Sequence, residues 1–159
     1  MIYTLLITFL LVLLAVSIHY VTLSGVMSFL RKRQDGVRHW VGFSILFILI
    51  AHVVEVSVFA IGYRALEDDE VYGRLVGAIK DEPAHELSDY WYFSFVAYTS
   101  LGFGDITPTG NLRLMTALET LTGLILIAWS ASFLYVQMQR FWALEPEKHD
   151  AESSSADRR

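Results

Sequence analysis

The stretch Tyr98-Thr99-Ser100-Leu101-Gly102-Phe103-Gly104-Asp105-Ile106-Thr107-Pro108 decides how this chain is read. It sets two glycines, an acid and a proline between segments that otherwise have the composition of membrane helix. Glycines one residue apart open backbone angles closed to other residues. At membrane depth, irregular backbone is tolerated only where protein buries it or where it lines water. The stretch therefore marks a place where the chain leaves helix for a reason.

The residues just before it narrow that reason. Ser88 to Thr99 is aromatic and apolar, with Ser88 placed to cap a helix and Asp89 suited to its first turn. Such a helix runs about ten residues, roughly 15 Å. That is half the thickness of a bilayer core, so residues 89–99 are expected to form a re-entrant helix and not a span.

Further out, the sequence turns apolar on both sides. The chain has 159 residues, 54% of them hydrophobic and 18% charged, too apolar for a soluble domain unless the apolar residues cluster in spans. Ile2 to Leu30 carries no charge, Trp40 to Tyr63 carries one acid, Glu55, and Leu112 to Trp142 is interrupted only by Arg113, Glu119 and Arg140. Each exceeds the roughly 20 residues that cross a bilayer as helix. The first has no basic residue ahead of it, is too long for a signal peptide and ends without a small-residue cleavage site, so it is read as a retained span.

Charge fixes the expected orientation. Arg31, Lys32, Arg33 and Arg38 stand against Asp35 in the first loop, whereas residues 65–89 hold Glu67, Asp68, Asp69, Glu70, Asp81, Glu82, Glu86 and Asp89 against Arg74 and Lys80. Short basic loops stay in the cytoplasm, which puts the N-terminus outside and the C-terminus inside. The acidic run reads as a solvated loop or as a concentrator of cations at an outer mouth. The chain has no cysteine, which removes disulfides and thiolate chemistry. His85-Glu86 begins like a zinc-protease motif, but Asp89 stands where the second histidine belongs. Residues 143–159 are polar and charged and are expected to be disordered.

Thr99 to Asp105 resembles the filter signature of the potassium-channel pore-domain family, whose commonest form is T-T-V-G-Y-G-D. The order around it is similar too: outer helix, re-entrant helix, filter, proline, inner helix, over roughly Trp40 to Trp142. The pattern resembles small bacterial channels of that family with one extra N-terminal helix. What the resemblance implies is specific. The backbone carbonyls of Ser100, Leu101, Gly102 and Phe103 replace the water of a permeating K+, with Gly104 completing the segment and the Ser100 hydroxyl forming the innermost ring. One chain supplies one loop, so four copies close the ring as a homotetramer. Thr99, Asp105, Trp91, Tyr92 and Phe93 are implied as filter support. The chain departs from the pattern in three ways. Phe103 replaces a tyrosine and loses its hydroxyl tether, Ser100 replaces a threonine, and Val96 stands where some relatives carry an acid. By alignment Tyr92 can donate to Asp105 instead.

Ionisable groups inside spans demand an account, because they are costly there. His19, His52, Glu55 and Glu119 are such groups. Glu55 and Glu119 each fall about 12 Å from the outer ends of their helices, His52 is one turn from Glu55, and His19 lies near the depth of His52. A polar cluster behind the filter is expected, with neutral helix packing, proton sensing or metal binding as its readings. No arginine row marks a voltage sensor. Gly123 sits where relatives keep a hinge, and close helix packing is its other reading. Counting turns from it puts Leu124, Ile127, Ala131 and Tyr135 on the cavity side.

The expected fold is an all-α membrane protein with three spans plus a re-entrant pore helix and selectivity filter. The boundaries are 1–30 first span, 31–39 basic loop, 40–64 outer helix, 65–88 acidic loop, 89–99 pore helix, 100–105 filter, 111–142 inner helix and 143–159 tail. The expected function is passive K+ conduction by a homotetramer in a plasma membrane, bacterial and inner. The bilayer and K+ are the partners, with no nucleic acid, no enzyme activity and no cofactor beyond the permeant ion. A poorly selective cation channel and a non-conducting membrane interaction subunit are the alternatives.

Overall fold

The computed structural model describes residues 1–31, 37–67, 72–77 and 86–156, with side chains described through Gln139 outside the stretch 37–41. Four helices and two short strands follow in the order α1 (Ile2–Arg31), α2 (Val37–Leu66), β1 (Leu75–Gly77), α3 (Leu87–Tyr98), β2 (Ile106–Pro108) and α4 (Leu112–Ala156). Three helices are long and apolar enough to cross a membrane, through Ile2–Arg31, Gly42–Leu66 and Leu112–Gln139. The protein is therefore an all-helical membrane protein apart from one small sheet.

The helices are built inside out relative to a soluble bundle. In α1 the buried positions are Thr4, Thr8, Ala15, His19, Leu23 and Val26, while Leu6, Phe9, Leu10 and Leu13 are exposed. Small and polar residues let helices approach closely in a membrane, where lipid tails are as apolar as leucine. α1 lies against α2 and α4. The core gathers Phe59, Ala60, Tyr63 and Leu66 of α2, Tyr90, Phe93 and Tyr98 of α3, and Leu112, Met115 and Leu126 of α4.

α3 is 12 residues long, about 18 Å, and so shorter than a span. Its N-cap is Glu86 and not Ser88, which lies inside the first turn. Asp89 explains the shift: its Oδ2 accepts the Glu86 N–H at 3.1 Å, and its own N–H donates to the Glu86 carbonyl at 2.9 Å. The acid the sequence assigned to a favourable first-turn charge is also the capping acceptor.

The acidic loop holds an element the sequence reading lacks. β1 pairs antiparallel with β2, Leu75 opposite Pro108 and Gly77 opposite Ile106. A Cβ on Gly73 would come within 2.3 Å of the Thr109 carbonyl oxygen, and Gly73 and Gly110 both have positive φ, so the close crossing needs glycine. Glu67 belongs to this bracket. It accepts the Leu75 N–H at 3.0 Å and the Tyr90 hydroxyl, so it is a strut between α2, β1 and α3 and not a free mouth charge. The rest of the acidic run, 68–70, and most of the basic loop lie outside the described residues.

At the other end, α4 continues to Ala156, past the Trp142 where the sequence reading ends it. The residues read as a disordered tail are helical backbone up to that point. Ala, Leu, Glu and Lys there are good helix formers, and too little apolar surface to fold alone does not prevent a helix from propagating out of a span.

Candidate functional site: the exposed loop and its buried brace

The loop after α3 begins with a helix terminus of defined form. The Leu101 N–H reaches the Val96 carbonyl at 3.0 Å and the Ser100 N–H reaches the Ala97 carbonyl at 3.0 Å. These are the paired bonds of a Schellman ending, with Ser100 at the left-handed position and φ of 60°. That position ordinarily takes glycine, and a side chain there costs about 1–2 kcal/mol. Strain held in place by surrounding bonds is a feature of functional segments.

The strain continues in an alternating pattern. Ser100, Gly102 and Gly104 have φ of 60°, 59° and 78°, while Leu101 and Phe103 between them do not have positive φ. Alternating the sign of φ turns successive peptide planes so that like groups share one side of the strand. A Cβ at Gly102 or Gly104 would meet nothing within 4 Å in the single chain, so the requirement for glycine there is conformational. Leu101 and Phe103 are 57% and 65% exposed, which leaves this loop uncovered by its own chain.

The support residues divide. The Tyr92 hydroxyl donates to Asp105 Oδ2 at 2.6 Å, and Asp105 Oδ1 accepts the Ile106 N–H at 3.1 Å. The Tyr92 bond holds the Asp105 carboxyl below the usual carboxylate range and raises the Tyr92 phenol. The Thr99 hydroxyl turns back to the Phe95 carbonyl at 2.7 Å. Trp91 is half exposed and packs edge-on to Phe95. Phe93 goes the other way: it is buried edge-on against Tyr63, 5.0 Å between ring centroids, so it braces α3 on α2 and does not surround Phe103.

Behind α3 the four ionisable groups fall into two nests, not one. Glu119, fully buried on α4, accepts from Ser94 of α3 at 2.5 Å and from Tyr63 of α2 at 2.5 Å. Glu55, fully buried on α2, meets His19 of α1 at 3.0 Å, His52 at 3.1 Å and the Tyr98 hydroxyl of α3 at 2.5 Å. Ser94 and Tyr98 are one turn apart and share a face of α3. The two carboxylates thus grip the short helix at successive turns, from opposite neighbours. His19, His52 and Glu55 offer ligand-type atoms within 4.8 Å of one another. Sequence depth alone brought these groups to one level, but partners decide the grouping. Tyr63, Ser94, Tyr98 and Ser130 are the residues that reading lacked. A hydroxyl one turn from another on a helix expected beside buried acids is the signal that points to Ser94 and Tyr98.

Gly123 is a packing glycine here. A Cβ on it would lie 2.2 Å from the Tyr98 carbonyl oxygen, so α4 crosses the end of α3 backbone to backbone. One turn earlier, Thr120 donates its hydroxyl to the Ala97 carbonyl at 2.9 Å. Leu124, Ile127, Ala131 and Tyr135 are all exposed on α4, on surface that its own chain leaves open.

A family model described as "Ion channel" matches residues 51–140. The uncharacterized membrane protein YdjJ of Bacillus subtilis (strain 168) is 33% identical over 90 residues, 56% of this chain and 26% of that protein. The chain thus spans about a quarter of the length of that relative. No solved structure matches the chain.

Proposed function

The chain belongs to the ion channel family whose model matches its residues 51–140, and from that premise we propose that it forms a K+-selective channel in which four copies place their loops 100–104 around one axis. It is a membrane channel protein and not an enzyme. The observation that carries the finer reading is the alternating φ along Ser100 to Gly104 at the end of a half-length helix. Backbone carbonyls set side by side can replace the water of a dehydrated cation, and a ring of them needs several chains. The exposure of Leu101 and Phe103 supports such an assembly, since irregular backbone at membrane depth needs protein cover or water.

In this reading the carbonyls of Ser100, Leu101, Gly102 and Phe103 bind K+, Asp105 braced by Tyr92 holds the outer end, and the exposed residues of α4 line the inner cavity. The basic loop and the C-terminus face the cytoplasm, with the N-terminus outside. Serine at 100 and phenylalanine at 103 support a second reading, a monovalent cation channel of lower selectivity. Purified protein in liposomes tests the proposal. K+ efflux detected with a dye is expected from the wild type and not from empty vesicles. Absence of flux from well-assembled protein sinks the conducting reading.

A further inference from the structure

The nest around Glu55 has more close polar pairs than it has protons. Six pairs lie at hydrogen-bond length: His19 Nδ1 with Glu55 Oε1, His52 Nδ1 with Glu55 Oε2, Tyr98 hydroxyl with Glu55 Oε2, His52 Nδ1 with the Tyr98 hydroxyl, and Ser130 Oγ with both His52 Nε2 and His19 Nε2. Two neutral imidazoles, one phenol and one hydroxyl carry four protons in all, about one for each group. One added proton, making an imidazolium, still leaves the set short.

The arrangement that accounts for all six is convergence on a cation. We propose that His19 Nδ1, His52 Nδ1, the Glu55 carboxylate and the Tyr98 oxygen form a site for a divalent first-row metal, zinc by its donor set. Two histidines with one carboxylate is an established zinc set, and the phenol supplies a fourth position. With Glu55 bound through Oε2, the pairs among His52 Nδ1, Glu55 Oε2 and the Tyr98 oxygen are then edges of one four-atom coordination shell, and His19 Nδ1, held beside Oε1, supplies its fourth atom. Zinc holds nitrogen and oxygen at about 2.0–2.2 Å, so ligand atoms stand roughly 3.3 Å apart in a tetrahedron. The 2.5 Å Tyr98 to Glu55 pair opens by less than about 1 Å to meet that spacing.

The outer pairs fit the same state. With both Nδ1 atoms on the metal, both Nε2 atoms carry hydrogen. Both donate to Ser130 Oγ, 3.1 and 3.3 Å away, whose two lone pairs accept them. A single acceptor shared by two ligand histidines fixes both ring orientations. Charge also closes. Binding M2+ releases the Tyr98 phenol proton to solvent, so carboxylate and phenolate balance the ion and the site is neutral inside the membrane, where net charge is costly. His19 and Glu55 are buried, and His52 is part-exposed, which makes its side the entry. The metal would join α1, α2 and α3 at one point, with Ser130 of α4 holding both ligand histidines. His19 is the ligand from α1, the helix outside the matched residues 51–140, so the site fastens that helix to the channel core. The site stands apart from whether the channel conducts.

Full-length protein in detergent, stripped with chelator and titrated with Co2+, tests this. One Co2+ per chain with the visible absorption of a tetrahedral centre is expected, displaced by Zn2+. Trp129, its ring 5.4 Å from that of His19, reports position: bound Co2+ quenches emission, and Trp129→Phe removes that quenching. Glu55→Gln is expected to abolish binding. Ser130→Ala, which keeps every ligand, is expected to weaken it about 10–100-fold. No stoichiometric Co2+, or Co2+ binding that Glu55→Gln and Ser130→Ala both leave unchanged, overturns the proposal. So does an imidazolium signal assigned to His19 or His52 by nitrogen NMR in metal-saturated protein.

Discussion

The loop from Ser100 to Asp105 and the brace behind α3 are neighbours built on opposite terms. The brace is buried and saturated: Glu55 and Glu119 are fully enclosed and each takes hydroxyl donors from α3. The loop is exposed and strained, with Leu101 and Phe103 more than half open and three residues of positive φ. A segment that must present backbone to an ion cannot spend that backbone on its own fold. Its shape has to be imposed from the stem, and the stem is where this chain concentrates its costly buried acids. In the proposed tetramer the remaining support comes from the other copies.

The comparison breaks most sharply at the loop's glycines. Gly102→Ala or Gly104→Ala puts a side chain at φ of 59° or 78° without a clash inside the chain. Loss of K+ flux is expected with the helices and assembly retained, measured by liposome efflux beside size-exclusion chromatography. Unchanged flux from an assembled Gly104→Ala protein removes the backbone mechanism. At the junction of loop and brace, Gly123→Ala drives a Cβ into the Tyr98 carbonyl. Overpacking against backbone is expected to cost about 1–3 kcal/mol, read as a lower thermal midpoint in detergent. If that midpoint holds and only gating changes, Gly123 is a hinge after all.

Much of this contrast was legible in the sequence, and the rest was not for definable reasons. The half-length helix, the paired glycines and the three apolar stretches announced themselves through length and composition. The glycine spacing also located the irregular backbone. Ser100 does not read as a strained position because its left-handed φ comes from the Schellman ending of α3, a local cap that glycine would advertise and serine hides. The split of the acids into two nests was missed because depth along a helix is readable and azimuth against a neighbour is not. Glu67 looked like one more solvated acid until the strand at Leu75 brought an N–H to it. The resemblance implies Phe93 as filter support, whereas its position on α3 turns it toward Tyr63.

Two smaller changes sharpen the comparison. Tyr63→Phe removes one of the two donors to Glu119 and leaves a buried carboxyl oxygen without it. A loss of about 1–3 kcal/mol is expected, with flux per folded channel unaltered. A fall in flux at unchanged stability places Glu119 in conduction instead of the brace. Tyr92→Phe acts on the exposed side. The Asp105 carboxyl is expected to rise back toward the ordinary range, since the bond that lowers it is gone. Conduction is expected to decline faster during sustained opening, with little change in stability. Identical current decay in Tyr92→Phe and wild type leaves the 2.6 Å bond without a role in the filter.

The central claim is that a backbone ring made by Ser100 to Phe103 selects K+. Reversal potential across a planar bilayer, with K+ on one side and Na+ on the other, reads that selection without regard to gating or abundance. The account predicts a reversal potential displaced strongly toward the K+ equilibrium value, and no current from Gly102→Ala in the same bilayer. A reversal potential near zero contradicts it and leaves a cation pore that does not distinguish the two ions.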